Sequence, residues 1–236
     1  MKYLCGIQPT GRLHVGHYLG VLKTALSLQE DGHVVELMVA DLHANASPDQ
    51  TIDELRLLGF RNVTSQSAPT ALFASMLHYC PLGVLRSMTQ FRSKGGDESN
   101  AMLLVYPVLM AADILNSRPD FVIVGEDQLQ HVEMANDLYR RAGLSYRVRP
   151  LVSDCPRVMS IADPSRKMSK SLGDSHCVYL FERHLPKLSK AVTTPEGVAS
   201  LGMMFSGFGV RLVAEEMAES KRALAERLDS LFPVSS

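Results

Sequence analysis

The chain has 236 residues, 46% of them hydrophobic and 21% charged. That suits one substantial globular domain with a small appendage and argues against a disordered polymer. A formal net charge of −1 gives no bulk attraction for nucleic acid: any RNA contact comes from a local patch or is weak, and on charge alone the plain reading is that none is bound. The four cysteines, Cys5, Cys80, Cys155 and Cys177, form no Cys-x-x-Cys pair. This argues against a zinc or iron–sulfur site and against a disulfide framework, and no metal ligand set is expected. A reducing, cytoplasmic setting fits them. The N-terminus lacks the apolar run of a signal peptide, and no uncharged apolar stretch is long enough to span a membrane.

In chain order, Tyr3–Ile7 reads as a buried strand and Gln8-Pro9-Thr10-Gly11 as a turn. A helix begins near His14 or Val15 and runs to about Glu30, with Leu19, Leu22, Ala25 and Leu26 at helical spacing. His33–Ala40 is a second strand, and Thr51–Leu58 a short helix in which Thr51 and Glu54 have the spacing of a capping box. Asn62–Ser65 reads as a short strand, Ala71–Tyr79 and Met102–Leu115 as helices. Pro107 either opens the second of these helices or kinks it. Phe121–Val124 is a buried strand, followed by Gly125 and a helix to about Arg141; Arg157–Met159 is the last short strand. Segments 92–97 and 161–174 look like loops. In the tail, Met203–Phe208 is glycine-flanked and poor helix, whereas Arg211–Leu228 is an amphipathic helix with Val213, Met217, Ala218, Leu224 and Leu228 near one face. Strands alternating with helices predict an α/β fold with a parallel sheet.

Four motifs carry chemistry. Gly11-Arg12-Leu13-His14-Val15-Gly16-His17 follows a strand and opens a helix, the position where nucleotides bind in open α/β sheets. Gly16 lets a base or ribose approach the backbone, and His14 and His17 can donate to charge growing on an α-phosphate; the plain alternative is two structural histidines at a helix start. Lys167-Met168-Ser169-Lys170-Ser171 places two ammonium groups three residues apart on a hydroxyl-rich loop, suited to a leaving pyrophosphate. Alone, such a run is more often a solvated basic loop. At Gly125-Glu126-Asp127-Gln128 a glycine ends a strand, and the two acids either accept from ribose hydroxyls or, for Asp127, cap the next helix. Tyr106 to Leu115 sets Asp113 in an apolar helix with Met110 one turn before it. A thioether and a carboxylate suit an aromatic ring bearing one N–H; alternatively Met110 is core and Asp113 bonds a neighbouring loop.

The first two motifs, in that order, are the paired signature of class I aminoacyl-tRNA synthetases. Together with Gly6–Gly11, Ala40–Ala44, Met88–Phe91, Tyr106–Leu115 and Gly125–Gln128, the chain resembles the tryptophanyl-tRNA synthetases over residues 6 to 171. The resemblance implies a Rossmann-like catalytic domain over residues 1–176, with a reduced helical domain of the anticodon-binding type over 177–236. It implies ATP contacts at Gln8, Pro9, Thr10, Gly16, His17, Gly125, Glu126, Asp127, Val158, Lys167, Met168, Ser169, Lys170 and Ser171, with Mg2+ accompanying ATP. Catalysis falls to His14, His17, Lys167 and Lys170. Asp113 accepts from the indole N–H of L-tryptophan; Met110, Tyr106, Gln128, His43 and Leu4 line that pocket. The partner is tRNA(Trp), and a homodimer is expected.

The chain departs from the family pattern in places. His17 stands where the family often has Asn, and Leu4 where an aromatic is expected. The region between Ala44 and Met88 is abbreviated, and 65 residues follow Ser171, fewer than a full anticodon-binding domain needs. Two rival readings follow: a tryptophan-activating paralogue that does not charge tRNA, and a non-enzymatic tryptophan-binding regulator. A metabolite nucleotidylyltransferase is a third, opposed by Lys167–Ser171.

Overall fold

A computed structural model describes residues 1–44, 46–66, 69–93, 98–153, 158–212 and 216–234. Along the chain run β1 (Lys2–Ile7), α1 (Val15–His17), a π-helical turn at Tyr18–Leu22, α2 (Lys23–Glu30), β2 (Val34–Val39), α3 (Asp41–Ala44), α4 (Asp49–Leu57) and β3 (Val63–Ser65). Then come α5 (Thr70–Tyr79), α6 (Leu82–Ser87), α7 (Thr89–Ser93), α8 (Ala101–Ser117), β4 (Phe121–Val124), α9 (Leu129–Arg141), β5 (Arg149–Val152), α10 (Leu185–Leu188), α11 (Pro195–Gly207) and α12 (Met217–Leu231). Among the described residues no helix is long and apolar enough to cross a membrane.

The residues group into two compact units: Met1–Thr10 with Ala25–Val152, and Gly11–Thr24 with Ser153–Ser236. Compactness therefore joins the segment around His14 to residues well before 177. The first unit holds a five-stranded sheet in the order β3-β2-β1-β4-β5, with every pair parallel. This is the Rossmann-like α/β class expected from the alternation of elements. β1 is almost wholly buried, as a strand covered on both faces has to be. One face packs on α8 and α9, where Val108, Ala111, Ile114, Val132, Ala135 and Leu138 join Leu4, Val122 and Val124 in one apolar cluster. Leu4, expected against the indole, is only 2% exposed within that cluster.

Helix α8 carries the most informative boundaries. Asn100 caps it by accepting from Leu103 N–H at 3.0 Å. Pro107 lies inside it rather than at its start. It ends where Arg118 turns left-handed at φ 48°, with Pro119 next, which cannot extend a helix.

Several expectations are corrected. Thr51 caps nothing: α4 starts two residues earlier after Pro48, and Thr51 is buried inside it. The last strand of the sheet is Arg149–Val152, not Arg157–Met159; Met159 makes only an isolated antiparallel bridge to Lys167, and Arg157 lies outside the described residues. Met203–Phe208 is not poor helix, because most of it belongs to α11. There Thr194 accepts from Gly197 N–H at 3.2 Å and Pro195 opens the first turn. The final helix begins at Met217 rather than Arg211, and Val213 lies outside the described residues. Helices α6, α7 and α10 were not anticipated. Cys155 and most of loop 92–97 also fall outside the described residues.

The second unit is built around buried Leu13, Val15, Leu19, Met204, Phe205, Leu224 and Leu228. Tyr18 stacks on Phe208 at 5.6 Å and meets Phe232 edge-on at 4.9 Å. The aromatics of the tail are thus largely spent on packing: Phe205, Phe208 and Phe232 are all buried.

Candidate functional site

In the first unit, polar residues follow the carboxyl end of four strands: Gln8, Pro9 and Thr10 after β1, Asp41 and His43 after β2, Gln66 after β3, and Gly125–Gln128 after β4. β1 and β4 are neighbours where the strand order reverses, the crevice in which doubly wound sheets bind ligands. Gln8 and Thr10 are exposed and Pro9 is buried.

Asp113 is 4% exposed on α8. A buried carboxylate is costly unless hydrogen bonds compensate it. Two do. Gln66 Nε2 donates to Oδ2 at 2.7 Å, and His43 Nε2 lies 3.1 Å from the same oxygen. Asp113 thus does bond a neighbouring segment, and both donors fall on one of its two oxygens. Tyr106 and Met110 precede Asp113 by seven and three residues, on the same helical face. Met110 is half-buried between fully buried neighbours. The His43 and Tyr106 rings meet edge-on at 6.0 Å.

A second network joins Tyr106 to the loop after β4. The Tyr106 hydroxyl lies 3.0 Å from Gln90 Oε1 and 3.0 Å from His131 Nε2. His131 Nδ1 lies 2.7 Å from Gln128 Oε1. Gln128 Nε2 and Gln90 Nε2 both donate to Asp127 Oδ2, at 3.1 and 3.0 Å. Asp127 is therefore not a helix cap: neither the 3-10 turn Glu126–Gln128 nor α9 has a side-chain cap. Its carboxylate fixes two glutamine amides instead. Burial first, and the Asp127 charge second, push the Tyr106 phenol above its ordinary range, so it stays protonated and able to donate. Glu126 is exposed and Gly125 partly so.

In the second unit the segment around His14 is held by antiparallel pairing. Val15 N–H donates to Val178 O at 2.8 Å and Leu180 N–H to Leu13 O at 3.0 Å. His14 caps α1, accepting from Gly16 N–H through Nδ1 at 3.1 Å. His17 Nδ1 accepts from His14 N–H at 3.2 Å, and the two rings stack at 3.8 Å. With Nδ1 of each ring taken as an acceptor, the remaining proton of each neutral ring sits on Nε2. Burial, then Lys170 and Lys167, pulls the His14 pKa down to about 3. His17 is lowered by burial, then by His14, Lys170 and Lys167. His17 keeps some exposure, so for it the bond at Nδ1 is the firmer ground for a neutral ring. Both histidines are thus structural at the helix start and also present one N–H donor each. Gly16 has a reason invisible in the sequence: a Cβ there would lie 2.8 Å from His14 Cε1.

The lysine loop is rooted rather than free. Met168 N–H donates to Val158 O at 2.9 Å, and Ser160 N–H to Arg166 O at 2.9 Å. Val158 and Met168 are buried at 3% exposure each. Ser169 and Ser171 pair through their hydroxyls at 2.9 Å. Lys170 Nζ donates to Arg12 O at 2.8 Å, which ties the second motif to the first within this unit. Lys167 itself forms the isolated antiparallel bridge with Met159.

Gln66, Gln90 and His131 had no role assigned from sequence. One signal could have found Gln66: it is the first residue after a strand, at the carboxyl edge where α/β sheets collect polar ligand contacts.

The sequence profile of the class I tRNA synthetases (W and Y) matches residues 1–79 and 60–227. The tryptophan–tRNA ligase of Mycoplasma genitalium is 37% identical over 81% of this chain and 65% of its own length. The chain spans 58–65% of the first curated relatives it matches. Its fold matches the crystal structure of tryptophanyl-tRNA synthetase from Mycoplasma pneumoniae with a TM-score of 0.83 and 27% identity, covering 98% of this chain and 85% of that one. The Campylobacter jejuni tryptophanyl-tRNA synthetase, solved with ADP and tryptophan, shares the fold at a TM-score of 0.72 and 24% identity, covering 98% and 86%. With most of its length inside the profile and tryptophan–tRNA ligases as its curated relatives, the chain belongs to the tryptophan–tRNA ligase family of class I synthetases.

Proposed function

We propose that the chain activates L-tryptophan with ATP, forming tryptophanyl-adenylate and pyrophosphate, and passes the acyl group to tRNA(Trp) in the cytoplasm. The observation that carries this reading is Asp113: a buried carboxylate, held through Oδ2 by Gln66 and His43, on the helix face of Met110 and Tyr106. That is an acceptor prepared for a single N–H on a large apolar ring. Phenylalanine has no donor for it; tyrosine has one at the ring tip, so pyrophosphate exchange has to separate tyrosine from tryptophan.

In this reading the surroundings of Asp113 take tryptophan. Gln128 and Tyr106, fixed by Asp127 and His131, meet the α-ammonium, and Gln8, Pro9, Thr10, Gly125, Glu126 and Asp127 contact the nucleoside. His14 and His17 donate through Nε2 as negative charge grows on the α-phosphate; neutral rings do this without taking up a second proton. Lys167 and Lys170 meet the leaving pyrophosphate, with Gly16, Val158, Met168, Ser169 and Ser171 shaping the contact. Engaging pyrophosphate replaces the bond from Lys170 to Arg12 O. Mg2+ would accompany ATP and supply positive charge against its phosphates. No covalent enzyme intermediate is needed; catalysis is positioning and charge stabilisation. Residues 177–236 stand in for the helical anticodon-binding domain, and the working form is a homodimer, a point sedimentation measures directly.

The test is pyrophosphate exchange with tryptophan, tyrosine and phenylalanine, followed by charging of tRNA(Trp) transcripts. Exchange for tryptophan alone, with charging, is the expected result. Exchange without charging assigns the chain to a paralogue that makes the adenylate only. Tryptophan binding without exchange makes it a regulator.

A further inference from the structure

We infer that Gln66 strengthens tryptophan binding by fixing which Asp113 oxygen faces an incoming indole; this rests on the proposed role of Asp113. The amide of Gln66 can be oriented in only one way. Its Oε1 accepts from Leu42 N–H at 3.2 Å, which leaves Nε2 as the end that points at the carboxylate, 2.7 Å from Oδ2. Gln66 is itself held: its backbone N–H donates to Val39 O at 2.9 Å and to Asp41 Oδ1 at 3.1 Å. It is 6% exposed, so water does not compete for the bond. A backbone tie thus runs from β2 and α3, through one glutamine, to the buried acid on α8.

The two donors share Oδ2. Among the described residues no donor is placed on Oδ1, which is left as the acceptor for a ligand N–H. A carboxylate gripped at one oxygen cannot rotate without breaking a charge-assisted bond, so the direction of its second oxygen is set before any ligand arrives. Of the two grips, Gln66 is the shorter, and it does not depend on a histidine tautomer. Gln66 is a positioning residue: it acts on the substrate through Asp113 and touches none of the reacting atoms.

Two variants separate positioning from simple support. Gln66→Met keeps length and removes both the donor to Asp113 and the acceptor for Leu42 N–H. Gln66→Glu keeps the acceptor for Leu42 N–H and puts a second carboxyl beside Asp113. Two carboxylates in one buried site cannot both ionise easily, so the pair holds one proton with a raised pKa. The charged or titratable neighbours are His43 and Asp41 from α3, Asp113 from α8, and Tyr139, which feels the Asp113 charge. In acid, the introduced carboxyl is protonated and donates to Oδ2 as the amide did, and tryptophan binds. As pH rises past the shared pKa the proton is lost, the carboxylates repel, and binding weakens. Wild type carries His43, Asp41 and Tyr139 unchanged and serves as the reference profile. The chain contains no tryptophan, so red-edge fluorescence of the ligand reports binding without background from the protein.

Expected for Gln66→Met is a rise of about tenfold in the tryptophan Kd and KM, with kcat and the ATP KM near wild type. Expected for Gln66→Glu is a tryptophan Kd that climbs with pH relative to wild type and recovers in acid. Either variant failing to shift tryptophan affinity while Asp113→Ala impairs it overturns the inference alone. So does a loss of ATP and tryptophan binding together, with a lowered Tm and no recovery in acid. A wild-type protein that neither binds nor activates tryptophan overturns the functional proposal, and this inference with it.

Discussion

The buried carboxylate of Asp113 and the histidine pair at His14 and His17 use the same device with opposite sign. Around Asp113 the protein prepares an acceptor: two side-chain donors occupy one carboxylate oxygen and leave the other. At the histidines it prepares donors: backbone N–H groups occupy Nδ1 of each ring, so the proton sits on Nε2. In each case one side of a polar group is spent on the chain itself, and the other side acquires a fixed direction. The difference lies in the surroundings. Asp113 is compensated by groups that stay in place, whereas the histidines sit beside Lys167 and Lys170, whose charges help keep them neutral. The first arrangement suits recognition of a ligand that does not change, the second a centre where charge develops during reaction.

The largest effect expected on this comparison is at the lysines. Lys170→Ala should lower kcat for pyrophosphate exchange by about 100- to 1000-fold, the usual cost of losing one donor to transition-state charge. The tryptophan Kd should hardly move. A collapse of tryptophan affinity with turnover preserved at saturation would show that the second unit recognises rather than reacts.

Asp113→Ala should have the opposite signature. Loss of one hydrogen bond to a charged acceptor costs about 10- to 150-fold in kcat/KM for tryptophan, with the ATP KM retained. Steady-state kinetics in both substrates decides it; an equal loss for ATP would mean that the acid supports the fold and not the ligand.

Gly16→Ala tests whether the histidine geometry is as tight as it looks. The added Cβ would sit 2.8 Å from the His14 ring, so either the ring or the turn shifts. A stability loss of about 1–3 kcal/mol is expected, with kcat falling and the tryptophan Kd unchanged. Denaturant unfolding beside exchange kinetics reads both, and an unaltered protein would show that the rings repack freely.

The smallest effect at neutral pH is at His14 itself. Its folded pKa, about 3, lies below the ordinary 6.5, so between these values the unfolded chain binds a proton that the folded chain refuses. Stability therefore falls as pH drops from 6.5 towards 3, by on the order of a few kcal/mol. His14→Asn, which can still cap the helix, should leave stability near pH 7.5 close to wild type and flatten the acid limb. Unfolding curves across that window that superimpose for the two proteins would mean His14 is not held neutral.

How much was legible in the sequence varied with how local the signal was. Strand β4 appears where four apolar residues precede a glycine, and the helical run from Val15 to Glu30 where its apolar spacing predicts it. The polar motifs at His14, Asp113, Gly125 and Lys167 announce a class of chemistry by residue type and order alone, since each is read within a few neighbours. The role of Asp127 was not legible, because a capping carboxylate and a glutamine-holding carboxylate look the same until Gln90 arrives from a distant helix.

Amino-acid order by itself determined the α/β class, the strands whose burial makes them apolar throughout, and the pairing of the two signature motifs. Tertiary structure alone decided the rest. Strand β5 escapes a pattern reading because it is the sheet edge, where Pro150 costs no ladder bond to an outer neighbour and exposed residues are tolerated. Helix α11 forms despite its glycines because Thr194 and Pro195 start it and because Gly207 lets Leu19 approach where a Cβ would come within 2.8 Å. Gln66 gains its place only when β3 lies beside β2 and the end of that strand meets α8, bringing together residues 47 apart in sequence. Local propensity is a property of short windows of chain; which buried polar group finds which partner depends on segments that only folding makes neighbours.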